Sequence, residues 1–283
     1  DGNYLYATGL ISGNNSLGTY QISNTSFKSF IAKINLVTGA VDTVITVTSS
    51  GFGINYPTGI DTKNGKVYVT GGFIGDAVVL AGTSYSGGVS GSFTVEDVYV
   101  LALDSNLNEL WGNVANGAGS EFGRKVKAND VNGTTDRIYV SANFQNNAAF
   151  GAFGLTSNGS DDIAVAALDT NGNWMWANGF GSSTIYDNSF ALEVNNGGDE
   201  CFVGGRFGGS MTVGTNTYNS NGTVDGFIVG FDSTGAHTAF YPFGGGGAEI
   251  GITALDYVDN DYLVFGGTFF GNITFADSTY FSN

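Results

Sequence analysis

Few residues of this chain have types and spacing that can support chemistry. Acids stand just ahead of three apolar-rich runs: Glu96 and Asp97, Asp161 and Asp162, and Asp225. Carboxylates from neighbouring segments can share a calcium ion through their oxygens. They can also form an acid–base pair whose separation sets the mechanism of a glycan hydrolase. The D-T-N-G-N run at 169–173 carries oxygen ligands at alternate positions, as a calcium loop does, but its twelfth position is Phe180 instead of a bidentate Glu. Its sister segments are DSNLN from Asp104, DSTGA from Asp232 and NLVTG from Asn35. Across these copies the ligand oxygens fade while the turn chemistry persists, so the run reads as a turn.

The tryptophans Trp111, Trp174 and Trp176 recur just after these turns, where they form either a packing layer or a sugar-stacking surface. Strict alternation puts Trp174 and Trp176 on one face of their strand. His237 is the sole histidine and no G-x-S-x-G elbow occurs, which argues against a histidine metal cluster and a hydrolase nucleophile elbow. The single cysteine, Cys201, rules out an intramolecular disulfide and reads as a small buried apolar residue.

The elements that must position these groups are short strands. The chain has 283 residues with 46 Gly and only 2 Pro, and 12% of it is charged. That composition disfavours long amphipathic helices and favours strands joined by Gly, Asn, Ser and Asp turns. An internal repeat follows. YATGLI (6–11) recurs as YVTGGF (68–73), YVSANF (139–144), FVGGRF (202–207) and VFGGTF (264–269). After each of the first four copies comes an alternating run, a polar turn and a second run, the form of a β-hairpin. These are 29–45, 97–113, 162–178 and 225–241. A further run opens each later repeat: TGIDT (58–62), KVKAND (125–130), ALEVNN (191–196) and ITALDY (252–257). Between the YVTGG-type run and the hairpin lies a variable strand-like insert.

One repeat is therefore four core strands plus an insert, here termed strand types A (IDT), B (YVTGG), C and D (the hairpin). Such a repeat predicts an all-β chain, a β-propeller of four-stranded blades with about five repeats. The expected repeats are 1–56, 57–124, 125–189, 190–250 and 251–283, in a single propeller domain or a portion of one. The terminal repeats are incomplete, and the opening DGNYLYATG lies within a strand pattern, as in a piece of a longer protein or a larger ring. Phe73, Phe144, Phe207 and Phe269 share one register and are expected in the core.

The pattern D-x-x-V-x-x-L-D-x-x-G-N-x-x-W, then a Gly-rich loop and GxVYVTGxF, resembles the SBBP-type bacterial β-propeller repeat and, more loosely, quinoprotein-like propeller repeats. The resemblance spans nearly the whole chain. It implies a secreted or cell-surface bacterial protein. The first repeat departs from it, with Asn35 in place of Asp and Lys28-Ser29 in place of an acid.

Formal net charge is −16, with nine Lys and Arg in all, which argues against nucleic acid and anionic membrane surfaces as partners. No apolar stretch is long enough to span a membrane as a helix. The expected function is a non-catalytic binding or structural module outside the cell, serving adhesion or extracellular assembly. Its partners would be a surface protein, a glycan or copies of itself; it requires no cofactor, with calcium at the acids as the candidate ion. The alternatives are a lectin-like propeller using the tryptophans and a glycan hydrolase or lyase using face acids.

Overall fold

The computed structural model describes residues 2–23, 27–50, 53–87, 95–131, 133, 135–183, 187–245, 249–258, 262–275 and 278–281. Among them every regular element is a strand. The first repeat supplies β1 (Tyr4–Ile11), a small hairpin of β2 (Asn15–Leu17) and β3 (Tyr20–Ile22), then β4 (Lys28–Asn35) and β5 (Val41–Ser49). The second supplies β6 (Asn55–Lys63), β7 (Lys66–Ile74), β8 (Ala77–Leu80), β9 (Thr83–Ser86), β10 (Glu96–Asp104) and β11 (Glu109–Gly117). The third runs β12 (Glu121–Ala128), β13 (Ile138–Phe144), β14 (Asn147–Phe150), β15 (Phe153–Thr156), β16 (Asp162–Leu168) and β17 (Trp174–Ser182). The fourth runs β18 (Asn188–Val194), β19 (Glu200–Phe207), β20 (Ser210–Val213), β21 (Asn216–Asn219), β22 (Asp225–Asp232) and β23 (His237–Phe243). The fifth supplies β24 (Glu249–Val258), β25 (Tyr262–Phe270), β26 (Asn272–Phe275) and β27 (Ser278–Phe281).

The A, B, C and D strands of a repeat pair antiparallel in that order, as β6-β7-β10-β11, β12-β13-β16-β17 and β18-β19-β22-β23 do. Asn64 (φ 50) and Gly65 (φ 74) make the tight turn between β6 and β7, which needs positive φ at both central residues. Successive sheets pack face to face through one apolar layer each. Alternate residues of β10 divide between two layers. Tyr99, Leu101 and Leu103 meet Ile31 and Val47 of the first sheet, while Val98, Val100 and Ala102 meet Val140, Ala164 and Ala166 of the third. Further layers join the third sheet to the fourth (Val165, Ala167, Val203, Val229) and the fourth to the fifth (Phe202, Ile228, Ile252). Burial on both faces explains why the central strands are apolar almost throughout.

The inserts leave their own sheet. Each forms a short hairpin, and three of these pair with the D strand of the preceding repeat, β8 on β5, β14 on β11 and β20 on β17, while β2-β3 and β26-β27 stand as two-stranded sheets among the described residues. The last two or three residues on the outer edge of each of these D strands are thereby paired, which satisfies open hydrogen-bonding groups at that end.

A bulge recurs where D leaves the C–D turn, between Ala102 and Leu103, Ala167 and Leu168, and Gly230 and Phe231. Trp174 lies opposite Leu168 and Trp176 opposite Ala167, so Met175 is the extra residue. One inserted residue reverses the alternation. Trp174 packs into the layer between the second and third sheets and Trp176 into the layer between the third and fourth. The expectation that the two rings share a face is therefore corrected.

Phe73, Phe144 and Phe207 are fully buried, as their register predicts. Phe269 is 36% exposed, because β25 pairs only with β24 among the described residues.

Candidate functional site

The C–D turns have one construction. Asp169 Oδ1 accepts from the backbone N–H groups of Asn171 (2.8 Å) and Asn173 (2.9 Å), and Oδ2 from the Asn173 amide (2.9 Å). Asp104 and Asp232 repeat the backbone pattern from their own positions, and Asn35 Oδ1 accepts from Val37 N and Thr38 N. Partial burial opposes ionisation of Asp169, but the Asn173 amide and these N–H groups outweigh it and hold the carboxyl below its ordinary range.

This turn is also the seat for the preceding sheet's tryptophan. Trp111 Nε1 donates to Thr170 O at 2.9 Å and the Asn113 amide to Gly172 O at 2.6 Å. One repeat later, Trp176 Nε1 donates to Ser233 O at 3.1 Å and the Asn178 amide to Gly235 O at 2.7 Å. Each ring lies on the turn glycine: a Cβ on Gly172 or Gly235 would come within 2.7 Å of Trp111 or Trp176. The first sheet has Thr43 in the register of Trp111, and there the facing turn carries Leu107 in place of glycine, at φ 65 with its side chain in the core. Trp174 meets Phe150 of the insert hairpin edge-on at 5.2 Å. All three tryptophans thus contact a neighbouring sheet or its hairpin.

The five acids ahead of the C strands separate into two sets. Asp97, Asp162 and Asp225 are buried opposite the last Phe of their B strands. Asp162 Oδ2 accepts from Asn158 N at 2.7 Å and Asp225 Oδ2 from Asn221 N at 2.6 Å, closing the loop that leads into the C strand. Burial pushes both carboxyls up, against the pull of those N–H groups. A second buried residue faces this position from the start of the next sheet. Asn55 hydrogen-bonds Ser29, Glu121 faces Asp97, and Asp187 feels the charge of Asp162. Burial, then the charge of Asp97 and a hydrogen bond to it, push Glu121 up to about 9. Burial likewise raises Asp187 to about 6, against donors from Ser182 N and Gly208 N.

Glu96 and Asp161 instead line a cleft with Arg124 and Gln145, and the Gln145 amide donates to Asp161 at 2.5 Å. Burial lowers the Arg124 pKa, and the charges of Asp161 and Glu96 oppose that fall. No group of three or more His, Cys, Asp or Glu placed to hold a metal occurs among the described residues.

One convergent set escaped the sequence reading. Asp61, Lys127, Glu193 and Asp256 lie opposite Tyr68, Tyr139, Phe202 and Val264, one register position in four successive A strands. All four line a single cleft of about 510 Å³, together with Lys63 and Tyr257. Lys127 Nζ lies 2.8 Å from Glu193 Oε2, and Asp61 Oδ2 accepts from Ala128 N at 2.8 Å. Burial disfavours the Lys127 charge, but Glu193, Asp61 and Asp256 outweigh it and raise its pKa. Lys63 and Asp130 stand 3.8 Å apart at the rim. The sequence signal was partial: each of TGIDT, KVKAND, ALEVNN and ITALDY carries a charged residue, and strand pairing puts Asp61, Lys127, Glu193 and Asp256 in one register.

His237 Nε2 lies 3.0 Å from Ala239 O, and its ring packs against Tyr218 and Phe231. Cys201 is buried in the layer between the third and fourth sheets, where burial pushes its thiol up. No protein-family model matches the chain, and no curated protein matches it.

Proposed function

We propose that the chain is a non-catalytic β-propeller module of the cell exterior that binds or assembles surface material, with the cleft at the A-strand ends as its contact site. The observation that carries this reading is the convergence of Asp61, Lys127, Glu193 and Asp256 from four successive A strands on one cleft. Strands at the inner edges of blades around a common axis bring equivalent positions together in this way. The recurrent groups elsewhere support the same reading. The tryptophans and the aspartate turns hold sheet to sheet, and the lone histidine packs between aromatic rings. A rigid scaffold with a polar cleft suits recognition better than turnover. The extracellular setting rests on composition and on the likeness to SBBP-type repeats.

The test offers purified protein to isolated bacterial envelopes and extracellular polysaccharide, and measures retention and release of reducing ends together. Saturable retention without release is expected. Release of reducing ends that disappears in Asp61→Asn would refute the non-catalytic reading.

A further inference from the structure

The structure assigns a ligand class to the cleft at the A-strand ends: we infer that it binds a neutral saccharide unit. This inference rests on the binding-module reading and names what the module recognises. Its volume of about 510 Å³ falls in the range of small-ligand sites.

The wall combines acceptors and donors: the carboxylates of Asp61, Asp130, Glu193 and Asp256 with the ammonium groups of Lys63 and Lys127. A second cation entering the cleft finds Glu193 already paired with Lys127 and Asp130 with Lys63, and burial raises the pKa of Asp61. An anion meets the four carboxylates, which outnumber the two ammonium groups. A hydroxyl both donates and accepts, so a neutral polyol can satisfy carboxylate and ammonium from adjacent positions on one ring. Tyr257 adds an apolar surface. Its ring stacks on Phe202 at 6.0 Å and 26°, which holds it in place at the wall. A fixed aromatic beside charged hydrogen-bonding groups gives one apolar and one polar contact face, as a sugar ring requires.

The experiment is a glycan array of neutral, anionic and aminated oligosaccharides, followed by calorimetric titration of the best neutral binder. The proteins are the wild type, Asp256→Ala and Lys63→Met. Asp256 is exposed and Lys63 lies at the rim, so both variants are expected to fold, and thermal melts check this. Wild type is expected to bind a neutral glycan with little dependence on salt. Each variant is expected to weaken that binding about tenfold, the weight of one lost charge-assisted hydrogen bond. Absence of any neutral glycan binder overturns the inference, as does binding unchanged in both variants. Binding confined to anionic or aminated glycans and abolished by salt also overturns it, in favour of simple charge attraction. If neutral glycans fail while envelope retention persists, the saccharide assignment falls and the module reading stands. If the bound glycan is cleaved, the non-catalytic reading falls and the site stands.

Discussion

The joint between the second and third sheets should weaken as pH rises, and Glu121→Gln should remove that weakness. Asp97 is 3% exposed and Glu121 0%, and they face each other across the joint. In the unfolded chain Glu121 loses its proton near 4.5, whereas in the fold it keeps it to about 9. Between those values the native state holds the extra proton, so stability is greatest below about 4.5 and falls until about 9. At ~1.4 kcal/mol per pH unit, the displacement sets a ceiling of roughly 6 kcal/mol on the loss. Water entering an opened joint would hold the loss to about 3 kcal/mol, the scale of one uncompensated buried charge. The Gln amide keeps a donor toward Asp97 and does not titrate. Urea unfolding of both proteins from pH 5 to 9 gives the difference in stability at each pH. Subtracting one profile from the other cancels the contribution of Asp187, which titrates near 6. The variant should equal the wild type near pH 5 and exceed it by a few kcal/mol at pH 9. A difference independent of pH would refute a shared proton at this joint.

Two further outcomes follow from the seams between sheets. Gly172→Ala should cost about 2 kcal/mol through the positive φ and the contact with Trp111, whereas Gly39→Ala, at positive φ in open space, should cost about 1; chemical denaturation compares them. Replacing the hairpin at 147–156 with a two-glycine link should bare the edge of β11 at Asn116 and Gly117 and remove Phe150 from Trp174, giving oligomers on size exclusion; a monomer with an unchanged melting temperature would contradict the edge-covering role.

Much of the fold is local and can be read along the chain. The period of two, the Asn64-Gly65 turn and the C–D hairpins depend on neighbours a few residues apart, so the all-β class and the four-strand unit follow from sequence. The turn chemistry of Asp169 was equally legible, because its partners lie within four residues. The bulge at Met175 was not. A single extra residue is set by how the D strand must twist to leave the turn, and alternation carries no mark of it.

The site shows the same division. The acids ahead of the C strands stood out as chemistry, yet their meaning depends on what the next sheet brings up: Asn55 to Ser29, Glu121 to Asp97, Asp187 toward Asp162. The tryptophans stood out too, and only the stacking of sheets seats two of them on the following turn and Trp174 against an insert hairpin. Asp61, Lys127, Glu193 and Asp256 were visible as charges in the A-type runs, with nothing to mark them as partners. They become one site because face-to-face packing lines up equivalent registers from strands more than sixty residues apart. By itself the sequence determines each strand, each turn and the repeat that relates them, since those rest on steric and hydrogen-bonding preferences of adjacent residues. Tertiary packing alone decides which insert covers which edge and which charges meet, because burial between sheets selects those partners.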